Sequence, residues 1–129
     1  MPALLLLLAA ISIGLILSGA SVLEIPLPGG LRLGNLLSAL ALASIAGAAV
    51  SLAPRNGRFS RLSLLVFAAT VAWLPVSIAL AGNLSLNFAN GRGDVWLGFT
   101  ATVLFASLLA LAAAAVLRVH ARFRGAGSV

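Results

Sequence analysis

Four stretches of this 129-residue chain, at residues 3 to 23, 33 to 53, 62 to 81 and 95 to 117, contain no Asp, Glu, Lys or Arg. Each matches the roughly 20 apolar residues that carry a helix across the hydrocarbon core of a bilayer. Backbone in lipid must find its hydrogen-bond partners within the protein, and a helix does so inside one segment. Hydrophobic residues make up 62% of the chain and charged residues 8%, which leaves too few polar side chains to cover a water-soluble domain. The expected fold is therefore all-α: a single transmembrane domain over residues 1 to 129, built as an antiparallel bundle of four transmembrane helices joined by short links.

The charges that remain lie between the apolar stretches. All eight basic residues are Arg. Arg55, Arg58 and Arg61 crowd the link between the second and third spans, and Arg118, Arg122 and Arg124 follow the fourth. The other two links each carry one Arg and one acid, Glu24 with Arg32 and Arg92 with Asp94. Arg-rich short segments resist translocation, so both clusters are expected on the cytoplasmic side, giving an N-in/C-in topology. The net charge of +6 thus reads as a topology signal and not as a nucleic-acid footprint, because the arginines do not line one exposed face. The segment SGA at residues 18 to 20 also offers a signal-cleavage pattern, but the leader has no basic start and its apolar run exceeds what a signal needs.

Pro26, Pro28, Gly29 and Gly30 mark a tight outer turn, Pro54 closes the second span, Gly82 ends the third, and Asp94 is expected as the N-cap of the fourth. Between the third and fourth spans, Leu84, Leu86 and Phe88 alternate with polar residues, which suggests an extended segment lying on the outer surface where a partner can dock. The tripeptides NLS at 83 to 85 and RGD at 92 to 94 are too short to carry a glycosylation or adhesion reading.

Helices in lipid associate by close backbone approach, so small residues mark packing surfaces. They recur every fourth position at Ala10, Gly14 and Ser18 in the first span and at Ala39, Ala43, Gly47 and Ser51 in the second. In the fourth they fall at Gly98, Thr102, Ala106, Ala110 and Ala114. These rows are expected to be buried. Ser63, Thr70 and Ser77 recur every seventh residue on the third span, as do Thr100 and Ser107 on the fourth. Such hydroxyls bond to a carbonyl one turn back or line a solute path, and the first reading is the commoner.

Candidate sites are few. At 1.5 Å per residue Glu24 lies about 33 Å along the first span, at the outer interface, where it is expected to pair with Arg32 as a structural group and not as a proton carrier. His120 sits alone among cations, which suits neither a metal nor a haem. Trp73 and Pro75 lie near the middle of the third span, where a Pro kink can open a pocket for a lipid tail, quinone or pigment, so they form the candidate hydrophobic-ligand site. Trp96 reads as an ordinary interfacial anchor.

With Cys and Tyr absent and only hydroxyls, one Asn and two indoles within the spans, general acid or base, covalent and metal chemistry lack their usual groups. The chain is thus expected to be no enzyme. It reads as a non-catalytic integral membrane accessory subunit that packs against and stabilises a larger membrane protein complex, in contact with the lipid bilayer and other integral membrane subunits. The alternative is a small oligomeric transporter, flippase or pore-former, and a membrane regulator acting through the outer link is a third. Abundant Leu, Ala, Gly and Arg without Lys suggests a GC-rich genome and hence a bacterial cytoplasmic membrane.

Overall fold

The computed structural model describes residues 1–55 and 57–127. They form four α-helices and no named strand: α1 (Pro2–Ser18), α2 (Leu33–Leu52), α3 (Arg58–Ala81) and α4 (Arg92–Ala126). Three of these, α2, α3 and α4, are long and apolar enough to cross a membrane.

Several ends differ from expectation, and α3 and α4 already begin at Arg58 and Arg92 instead of residues 62 and 95. The first helix stops at Ser18 and not at residue 23, because Gly19 turns left-handed at φ 63° and caps it. The Gly19 N–H reaches the Ile16 carbonyl, and the Ser18 hydroxyl donates to the Leu15 carbonyl at 2.6 Å. Ser21–Glu24 then form a 3₁₀ turn. Seventeen residues give α1 a length of about 26 Å, short of a full hydrocarbon core. The fourth helix, in contrast, runs on through Arg118, His120, Arg122 and Arg124, which are helical and not a tail. Nothing from Val95 to Arg124 except Gly98 lowers helix propensity strongly, so the 35-residue helix reaches about 52 Å. Its N-cap is Gly91, and Asp94 makes no side-chain cap bond. The carboxylate instead sits in the first turn, where the helix dipole favours it.

α3 continues unbroken through Pro75, whose ring nitrogen has no hydrogen to offer the Val71 carbonyl, and ends at left-handed Gly82. The link before α2 folds as a tight hairpin with an antiparallel bridge between Pro26 and Arg32. The Leu27 N–H donates to the Leu31 carbonyl at 2.6 Å, and Gly29 and Gly30 take φ of 89° and 92°.

α2 is the central helix and packs against α1, α3 and α4; α3 also packs against α4. Its composition permits this. Ala41, Ser44, Ala46, Ala48 and Ala49 are buried on several sides at once, with Leu42 and Ile45 filling the gaps between them. Small side chains let three neighbours approach one backbone. Gly47 lies between two of them, since a Cβ there would stand 3.4 Å from Leu5 of α1 and 3.5 Å from Phe67 of α3.

Each of the three neighbouring helices turns a straight seam of buried and partly buried positions inward. The inward positions of α1 are Leu5, Ala9, Ser12 and Ile16; of α3, Phe59, Ser63, Val66, Thr70, Trp73 and Ser77; of α4, Trp96, Thr100, Val103, Ser107, Ala110 and Ala114. All three alternate steps of four and three residues, the spacing that keeps a stripe facing one partner. Steps of four alone do not. At 3.6 residues per turn each such step drifts by about 40°, so the row from Gly98 to Ala114 winds about 160° round its helix.

This corrects the expected burial of the small-residue rows. Ala110 and Ala114 are buried and Ala106 partly so, but Gly98 and Thr102 are exposed. On α1, Ala10, Gly14 and Ser18 are all exposed, one or two positions off the seam of Ala9, Ser12 and Ile16. A Cβ added at Gly14 or Gly98 would meet nothing within 4 Å.

Candidate functional site

The third and fourth helices are joined through their tryptophans. Trp73 of α3 donates its indole N–H to the Thr100 hydroxyl of α4 at 3.0 Å, and Trp96 of α4 donates to the Ser77 hydroxyl of α3 at 2.9 Å. Thr100 lies four residues after Trp96, and Ser77 lies four residues after Trp73. Each helix therefore offers an indole and, one turn on, the hydroxyl that receives the other helix's indole. The rings stand 6.3 Å apart between centroids at 44°. Ser77 in turn donates to the Trp73 carbonyl at 2.6 Å, so it both accepts from and donates to this arrangement while fully buried.

Trp96 is thus not a lone interfacial anchor. Its indole is turned inward to the core cluster of Leu42, Trp73 and Val103, and its outer face meets Phe88 at 5.0 Å. Phe88 belongs to the longest link, which folds back over the bundle instead of lying extended on its surface. Asn83 pins that link by donating its amide to the Asn87 carbonyl and accepting from the Asn87 N–H, both at 2.9 Å. Ser85 donates to the Gly30 carbonyl at 3.4 Å, tying the two outer links together. The alternation of Leu84, Leu86 and Phe88 comes from irregular turns, with Leu86 at φ 56°, and all three side chains are partly buried. Apolar burial against the bundle outweighs the local extended pattern.

Beside this clasp lies a cavity of about 250 Å³. α2 forms its floor with Ala41, Leu42 and Ile45, and Trp73 closes it from α3. Ile13 and Ile16 of α1 form one wall, and Trp96, Thr100 and Leu104 of α4 the other, with Asn35 and Ser38 at the end nearer the links. Pro75 is not part of it. That proline lines a separate groove between α2 and α3 with Ala43, Leu74 and Thr70, so the two members of the expected Trp73 and Pro75 site face different spaces. A helix turns 100° per residue, and positions two apart cannot share a face.

The hydroxyl seams are closed. Ser63 donates to the Phe59 carbonyl at 2.9 Å, Thr70 to the Phe67 carbonyl at 2.6 Å and Ser107 to the Val103 carbonyl at 2.7 Å. None of the three, nor Ser77, is more than 1% exposed. Glu24 and Arg32 form a 2.9 Å ion pair across the hairpin, with the Glu24 side chain 70% exposed. Among the described residues no three His, Cys, Asp or Glu side chains converge. Comparison with protein-family models, with curated proteins and with solved structures finds no match to this chain.

The sequence reading missed the pairing of the two tryptophans. Its signal was present as a repeated spacing, Trp73 with Ser77 and Trp96 with Thr100, each an aromatic followed one turn later by a hydroxyl.

Proposed function

We propose that the chain is a non-catalytic accessory subunit of a larger integral membrane assembly, which it stabilises by helix packing. One observation carries this reading: the buried hydroxyls of α3 and α4, Ser63, Thr70, Ser77 and Ser107, are held by the chain's own hydrogen bonds, so a solute path lined by them is closed. What the helices leave free is packing surface. The exposed rows through Gly14 and Ser18 on α1 and Gly98 and Thr102 on α4 offer partner helices the close approach that drives association in lipid.

In this reading the bundle is antiparallel and N-in/C-in. Trp73 pairs with Thr100 and Ser77 with Trp96, so numbers rise along α3 as they fall along α4, which fits opposite directions. Arg55 after α2, Arg58 and Arg61 in the first turn of α3, and Arg118, Arg122 and Arg124 near the end of α4 then mark the cytoplasmic face of a bacterial inner membrane.

Purification in mild detergent, followed by mass measurement, tests the proposal. A stoichiometric complex with another integral membrane protein is the expected result, and recovery solely as a free monomer overturns it. Solute flux through liposomes that contain this chain alone would favour the transporter alternative.

A further inference from the structure

We infer that the cavity beside Trp73 and Trp96 is a binding site for one acyl chain of a phospholipid, whose ester linkage is held at the mouth by Asn35. The inference uses the membrane location of the chain and is independent of any partner protein.

From Asn35 to Ile45 the floor runs ten residues of α2, about 15 Å along the helix axis. The cleft is therefore elongated along the helix, with about 250 Å³ of space between apolar walls where a hydrocarbon chain makes carbon contacts near 4 Å.

The channel opens sideways, between α1 and α4. α1 and α4 each pack on α2, and the wall residues between them stay accessible, Ile13 at 38% and Leu104 at 39%, whereas Leu42, Ile45 and Trp73 beneath are 6%, 4% and 2% exposed. The cavity is therefore a lateral cleft with a buried apolar floor. Left empty, such a floor lacks contact atoms on one side, and the species at hand beside a transmembrane helix is a lipid chain.

The cleft is polar at one end and apolar at the other. The outer links touch at Gly29 and Leu84 and at Gly30 and Ser85, so the starts of α2 and α4 lie at the same end of the bundle. Asn35, Ser38 and Trp96 belong to that end, and Ile45 and Leu104 to the other. A polar mouth near the helix starts and an apolar base toward mid-helix match an esterified chain entering from the interface. Ser38 already donates to the Gly34 carbonyl, and Thr100 accepts from Trp73. The Asn35 carboxamide is partly buried and makes no hydrogen bond within the chain, which leaves its N–H groups for an ester carbonyl.

The two tryptophans are the chain's own reporters, since both line the cleft and there are no others. The experiment titrates the full chain, in a steroid-based detergent with no alkyl tail, with a phosphatidylglycerol brominated on one acyl chain, and follows indole fluorescence. In a Trp96→Phe background the signal comes from Trp73, which bulk lipid does not reach. Saturable quenching with one lipid per chain is expected. Ala41→Phe, which fills the floor, should weaken apparent affinity at least tenfold. Should that variant misfold by circular dichroism, Ile13→Phe with Leu104→Phe narrows the exposed opening and should do the same. Asn35→Leu should weaken the ester lipid several-fold but leave a brominated alkane unchanged. Quenching that is linear and unsaturable, or that is indifferent to both filling variants, overturns the assignment.

Discussion

Trp73 and Trp96 each donate an indole N–H to the hydroxyl that lies one turn beyond the other, so two side chains on α3 and two on α4 lock a single register between those helices. A slip of one residue would break both bonds together and leave two buried donors without acceptors, which makes the register costly to change.

A double-mutant cycle of Trp96→Phe with Ser77→Ala tests this clasp. Phe keeps most of the ring but has no N–H. Hydrogen bonds between membrane helices average about 0.6 kcal/mol and reach about 1.7 kcal/mol. The burial of Ser77 places the expected coupling in the upper half of that range, read from reversible unfolding in mixed micelles. A coupling indistinguishable from zero would remove the clasp as a register lock.

Substitutions along the small-residue rows should separate inner from outer positions. Ala49 and Ala114 are 0% exposed in one cluster, so Ala49→Leu or Ala114→Leu overpacks a closed seam and should cost about 1–3 kcal/mol. Gly14→Leu and Gly98→Leu meet open space within this chain, and stability should hold or rise slightly, because Leu favours helix over Gly. Under the proposed function the same two variants should reduce recovery of the partner complex.

Gly29→Ala should destabilise the outer links. Gly29 holds φ at 89°, and a new Cβ would stand 2.6 Å from the Leu84 Cδ1. Leu84 can rotate its terminal methyl away, so the backbone strain of about 1–2 kcal/mol sets the cost. Faster amide exchange at residues 25 to 32 and 83 to 90, with the helices unchanged, is the expected readout.

Breaking the Glu24–Arg32 pair should matter little. Both side chains are well exposed, at 70% and 47%, and exposed pairs contribute about 0.2–1 kcal/mol that salt screens. Glu24→Gln should therefore shift stability by less than about 1 kcal/mol at low salt and by less still at high salt. A larger loss, insensitive to salt, would mean that Glu24 is desolvated in the native assembly.

Because the chain has no Cys, single thiols report topology without background. Ser85→Cys in the longest link should react with a membrane-impermeant thiol reagent on intact cells. Ala121→Cys in the α4 extension should react only after the membrane is opened. The reverse pattern would invert the proposed orientation.

The membrane class of this protein was legible before any folding was considered. Charge-free runs of about 20 residues leave water-soluble folds without a surface, and Gly82 marked where α3 stops. Length along a run was less legible. Gly19 ended α1 early through a left-handed cap, and the Arg-bearing residues after Leu117 stayed helical because nothing there opposes it. The site was hardest to see. A row of small residues four apart reads as one face on paper, yet the drift of a 3.6-residue helix turns Gly98 away while Ala114 is buried. Likewise Trp96 looks interfacial from its position alone and Trp73 and Pro75 look adjacent, until α2 and α4 close around one and leave the other outside. Sequence determined the solvent of each segment, because transfer to lipid depends on a residue's own side chain. Only the tertiary structure decided which faces meet, because that depends on helix phase and on the volumes of three neighbours at once.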